Sequence, residues 1–145
     1  MNPSARPPGD ASRPLFAGLL PLLLAVTLLR GLVYLAVMPP WQHYDEPTHF
    51  EYVRLLAERK RLPQPGDYDL EMRREIAASM QAAGFYKDLG PQTLDFFSPN
   101  PPNIGITELT HPPLYYVLLA LPQTLLLYQD VETQLYVGRL VSVLL

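Results

Sequence analysis

Leu15–Met38 is a run of 24 residues with one charge, Arg30, and it sets the terms for everything around it. At ~1.5 Å per residue a helix of that length reaches roughly 36 Å, enough for a ~30 Å hydrocarbon core with some tilt. A secretory signal would have a shorter apolar core and a small-x-small cleavage site before the polar segment. Neither is present, so the run is expected to be a retained transmembrane helix over 15–38. Pro21 is tolerable there, lying close to the helix start. Arg6 and Arg13 precede the run, and the positive-inside bias then puts the N-terminus in the cytoplasm. Residues 1–14, rich in Pro and lacking any periodicity, are expected to be a disordered cytoplasmic tail.

After the run the chain turns polar. Asp45 is placed to cap a helix over about 46–61, with Pro47 in its first turn and Phe50, Val53, Leu56 and Ala57 as an apolar stripe. Arg59-Lys60-Arg61 closes it favourably against the helix dipole. A Pro-Gln-Pro-Gly loop leads to a second amphipathic helix near 70–83, with Met72, Ile76, Met80 and Ala83 as its stripe and Gly84 as its stop. Phe85–Thr110 is Pro-rich and aperiodic, an irregular packed loop. Pro113–Tyr128 is a second apolar run of about 24 Å at helical rise, short for a span yet uncharged from Leu114 to Leu127. Gln129–Gln134 reads as a polar turn, and 135–145 as the start of a third membrane helix, truncated by the end of the chain. The expected fold is an all-α membrane protein. It has two transmembrane helices plus a truncated third, and residues 39–112 form a large outer-face loop containing short amphipathic helices. The expected location is the cell membrane, multi-pass.

Net charge of -3 argues against nucleic acid, because phosphate binding needs a basic face. The absence of cysteine removes disulfides and thiolate metal sites. The expected partner by composition is the lipid bilayer.

The chemistry-bearing residues gather where the membrane runs surface. Asp45-Glu46 could take a proton from an acceptor hydroxyl or hold a divalent cation. The plainer reading makes Asp45 an N-cap and Glu46 a first-turn acid favoured by the dipole. His49 lies three and four residues on, so a helix puts all three on one face, and Glu-x-x-His is a spacing found in metal sites. Two or three ligands are an incomplete set, and no resident metal is assigned. His111-Pro112-Pro113-Leu114-Tyr115-Tyr116 opens the second apolar run. Its prolines suit a helix entry and its tyrosines an interface. Since the loop leaves and re-enters one face, His111 and Asp45 share a depth, where His111 could meet a lipid phosphate. Arg30, ~12 Å below the outer end at helical rise, either faces a polar cavity or snorkels to the headgroups.

An apolar first helix, Asp45-Glu46 opening an outer-face helix, His111-Pro-Pro-Leu entering the second span and Gly138-Arg-Leu-Val-Ser in the third together resemble the GT-C membrane glycosyltransferases. The likeness is nearest to the protein O-mannosyltransferase and aminoarabinose-transferase group, glycosyltransferase family 39-like. It covers residues 15–145 and implies a sugar moved from a polyprenyl-phosphate donor to an acceptor at the outer face. It also implies Asp45 as the catalytic acid residue, Glu46 as its partner and His111 as the donor-side basic position. His49 and Arg30 are further substrate-binding candidates without a family role.

The leading expectation is therefore the N-terminal part of such an enzyme, inactive on its own. The alternative is a non-catalytic membrane protein whose outer loop binds a partner or carbohydrate. A third is a metal-binding membrane protein using Asp45, Glu46 and His49.

Overall fold

The computed structural model describes residues 13–43, 45–87 and 104–145, with side chains from Gly18 onward. The described residues form five α-helices and no strand: α1 Arg13–Val37, α2 Glu46–Arg59, α3 Leu70–Ala82, α4 Leu114–Leu125 and α5 Val131–Leu144. The tail before Arg13, Tyr44 and most of the Pro-rich loop lie outside the described residues.

Gly18–Val37 of α1 is the one described segment long and apolar enough to cross a membrane. Its leucines at 19, 20, 22, 23, 24 and 29 are largely exposed, and none of the segment is buried against the rest of the chain. An apolar surface of that extent needs an apolar surrounding. Only the last turns of α1 touch the other helices. There Gly31 lets Val143 of α5 approach so closely that a Cβ at Gly31 would lie 2.7 Å from Val143 Cγ1.

The expected second span is shorter than its sequence suggests. The apolar run 113–128 yields a helix of only 12 residues, about 18 Å long. Leu126 to Gln129 turn out of it, with N–H to carbonyl bonds from Leu126 to Gln123 and from Gln129 to Leu126. One face of α4 is buried, with Tyr116, Leu119 and Ala120 against α2 and Gln123 donating to the Gln134 carbonyl of α5 at 2.9 Å. The third segment starts earlier than residue 135. Asp130 accepts from the Thr133 N–H at 2.8 Å and caps α5, so the residues read as a polar turn supply the first turn of a helix.

α2 is the centre of the bundle. Its stripe is wider than Phe50, Val53, Leu56 and Ala57, for Tyr52 and Leu55 are buried as well. One flank, Phe50 and Leu55, joins Trp41, Met72, Ile76, Met80, Val131 and Leu135. The other, Tyr52, Val53 and Leu56, packs on Tyr116, Leu119 and Ala120. Trp41 fixes the exit from α1. It is fully buried with φ of 63°, edge-on to Phe50, and its indole N–H donates to Ser79 Oγ at 2.8 Å. Ser79 in turn donates to Glu132 of α5. A bulky residue in the left-handed region carries strain of about 1–3 kcal/mol, and burial of the indole with its hydrogen bond holds it there. α3 ends on Gly84 at φ 75°, with the Phe85 N–H returning to the Met80 carbonyl.

Candidate functional site

Asp45 occupies the position before α2, but its carboxylate does not cap the helix. With φ -98° and ψ -9° it lies in the helical region rather than the extended one, so the side chain cannot reach back to the first-turn N–H groups. Thr48 completes this turn by donating to the Asp45 carbonyl at 2.8 Å. The capping expectation is thereby corrected. Asp69 and Asp130, both extended, do cap their helices.

Freed from that duty, the Asp45 carboxylate faces His49 one helical turn on, with Oδ2 3.6 Å from Nε2. That is longer than a hydrogen bond and within ion-pair range. His49 Nδ1 lies 2.9 Å from the Tyr116 hydroxyl of α4, and the same hydroxyl lies 3.1 Å from His111 Nδ1. Four side chains from the start of α2 and the entry to α4 thus form one line: Asp45, His49, Tyr116, His111. The His49 ring stacks on both Tyr116 and His111. Asp45 and His49 are partly exposed, Tyr116 is buried and His111 is exposed. Asp45 and His111, far apart in the chain, are thus joined through His49 and Tyr116. The hydroxyl that joins them was missed, because two tyrosines after Pro-Pro read equally well as interface anchors.

Glu46 is turned elsewhere. Both its oxygens accept from Arg139 of α5, at 2.7 Å from Nε and 2.8 Å from Nη2. Arg139 also donates to the carbonyls of Met38 and Pro39, at 2.7 and 2.9 Å, just past α1. One guanidinium therefore ties α5, the end of α1 and the start of α2. Adjacent acids have been given separate tasks, with Glu46 holding the frame while Asp45 remains available. The signal for this was an arginine in the third apolar segment, which must find a partner; Arg30 drew that argument instead. Arg30 is exposed on α1 and makes no hydrogen bond or ion pair among the described residues.

A cavity of about 220 Å³ lies beside the line, between α1, α2, α4 and α5. Its walls are mostly apolar, Leu35, Val53, Leu119, Leu135 and Val143 among them, with His49 and the Glu46–Arg139 pair at its polar side. Gln123 lines it too, buried, with Oε1 lacking a partner. Glu108, which sequence reasoning passed over, is buried and accepts from Thr48 at 2.6 Å. It fixes the loop that delivers His111.

Among the described residues no group of three His, Asp or Glu side chains is gathered as a metal would require. Asp45 and His49 face one another, but the Glu46 carboxylate is occupied by Arg139. No protein-family model matches this chain, and no curated protein or solved structure does.

Proposed function

We propose that this chain forms the acceptor-activating part of an integral membrane glycosyltransferase, moving a sugar from a polyprenyl-phosphate donor to an acceptor at the outer face. The observation that carries the reading is the uncapped Asp45 carboxylate, linked through His49 and Tyr116 to His111. The order of motifs along the chain, which resembles the GT-C enzymes, supports it. In this reading α1 crosses the membrane from a cytoplasmic N-terminus. The apolar stretch around α4 re-enters as a second span, and α2 and α3 lie over the outer surface.

Transfer from a phosphate-linked lipid needs the acceptor hydroxyl deprotonated as the leaving phosphate departs. A carboxylate with an imidazole beside it suits the first task. The cavity beside α1 offers apolar walls to an isoprenoid chain close to the same residues. His111 belongs with the acceptor-side chain in this arrangement. That leaves Arg30 as the unpaired cation on the membrane helix for the donor phosphate.

The test is sugar transfer by membranes carrying the protein, offered a panel of polyprenyl-phosphate-linked hexoses and pentoses. Asp45→Asn should lower turnover by ~10²–10⁴ at equal inserted protein, the scale of losing general-base catalysis whether the carboxylate or an imidazole in its line takes the proton. Undiminished transfer by Asp45→Asn would remove Asp45 from the chemistry, and failure of the wild type to retain any of these donor lipids would remove the reading. The non-catalytic binding alternative would then stand.

A further inference from the structure

The Tyr116 hydroxyl stands between two imidazole nitrogens, and a hydroxyl has one proton to give. The two rings therefore cannot both present a bare Nδ1 to it, and if it donates to one histidine it can only accept from the other. Asp45 breaks the tie. Its carboxylate faces His49 Nε2 at 3.6 Å, where an N–H is favoured and a lone pair is repelled. Neutral His49 then has a bare Nδ1, which takes the Tyr116 proton, and Tyr116 in turn accepts from Nδ1–H of His111. His111 is left with a lone pair on Nε2, an atom that makes no hydrogen bond or ion pair among the described residues, on an exposed ring.

We propose that Asp45, His49 and Tyr116 are a proton relay holding His111 in its Nδ1–H form, and that His111 Nε2 is the atom that accepts the proton of the attacking hydroxyl. This rests on the glycosyltransferase reading for the identity of the hydroxyl, but the relay itself does not depend on it. The step balances in protons. The hydroxyl O–H proton moves to His111 Nε2 as its oxygen bonds the anomeric carbon and the lipid phosphate leaves with the electron pair. His111 Nδ1–H passes to the Tyr116 oxygen, and the Tyr116 proton passes to His49 Nδ1. The positive charge comes to rest on His49, against the Asp45 carboxylate, and His111 ends neutral with its tautomer reversed. Asp45 and His49 are positioning residues in this scheme; His111 alone touches substrate.

The other titratable groups around the relay are accounted for. From α2, Tyr52 packs on the Tyr116 ring at 4.3 Å, and Glu46 is neutralised by Arg139 of α5. From the loop before α4, Glu108 is held by Thr48. Within α4, Tyr115 donates to or accepts from Ser142 of α5. None of these competes for the two Nδ1 atoms.

The experiment is nitrogen-15 spectroscopy of histidine-labelled protein in detergent micelles near pH 7.5, with His43 as the histidine outside the relay. The expected result is opposite tautomers, Nε2–H on His49 and Nδ1–H on His111. Tyr116→Phe should return His111 to the Nε2–H form, and Asp45→Asn should remove the bias at His49. His111 found as Nε2–H in the wild type would overturn the relay. The wild-type spectrum decides this even if a variant fails to fold. Sugar transfer is read separately. A relay present in a protein that retains no polyprenyl-phosphate donor would sink the glycosyltransferase reading, and transfer without the relay would return the base role to Asp45.

Discussion

Neighbouring residues of like chemistry are put to opposite uses here, and the difference is measurable one side chain at a time. Asp45 makes no cap and Glu46 makes a two-pronged ion pair, so their amide variants should part company. Asp45→Asn should leave thermal stability in detergent within about 0.5 kcal/mol of the wild type, as for a surface change that removes no structural contact. Arg139→Met should cost about 3–5 kcal/mol. It strands the Glu46 carboxylate and the Met38 and Pro39 carbonyls in a half-closed site. Arg139→Lys should recover little, since an ammonium cannot match the planar fork. Equal melting of Arg139→Met and the wild type would mean the pair is incidental. Asp67 gives the pH dependence. It accepts from Arg59, Arg61 and the Gln64 N–H, and the Arg61 hydrogen bond holds its carboxyl well below the usual range. A lowered folded value means the stabilisation is full above the unfolded pKa of ~3.9 and fades as pH falls below it. The loop 60–69 should therefore become protease-sensitive on acidification below about pH 4, and Asp67→Asn should be sensitive already at neutral pH.

At the level of helices, the sequence showed where the elements lie better than what they bury. Periodicity and caps located α2 and α3 to within two residues at each end. It could not show that α2 would be enclosed on two flanks, because its second flank is covered by α4, a segment read as lipid-facing from its length and lack of charge. Nor could it show that Glu51 and Arg73, on different helices, would meet at 2.6 Å with both side chains buried. Burial pushes the Glu51 carboxyl up, against the pull of the Arg73 hydrogen bond. Such a pair is costly to break and cheap to replace. Arg73→Met alone should lose about 3–5 kcal/mol, whereas Glu51→Leu with Arg73→Met should recover most of it. If the double variant is no better than the single one, the pair contributes through contacts other than its charge. The site suffered the same blindness. Asp45, His49 and His111 were legible as chemistry, but the Tyr116 hydroxyl that joins them is a tertiary fact.

For the whole molecule the question is how a mostly exposed apolar helix and a well-packed helical cluster are held to one another. The contact is narrow. Beyond the Arg139 clasp on Met38 and Pro39, α1 meets α5 around Gly31 and Val143. Without an apolar driving force between helices in lipid, close approach through a small residue supplies much of the attraction. A methyl group at Gly31 would sit 2.7 Å from a valine Cγ, and a branched side chain yields little. Gly31→Ala should therefore force α1 away from α5 at a cost of about 1–3 kcal/mol, and Val143→Ala on top of it should restore most of the loss. The consequence reaches the site, because α1 and α5 form two walls of the cavity beside His49. On the proposed function, Gly31→Ala should weaken retention of a polyprenyl phosphate added to the detergent-solubilised protein, in parallel with the stability loss and with the same rescue. The wild type has no cysteine, so a cysteine pair placed across the two helices would report their spacing without background. Unchanged melting and unchanged cross-linking in Gly31→Ala would show that α1 is tethered by Arg139 alone, and the cavity would then be a property of α2, α4 and α5.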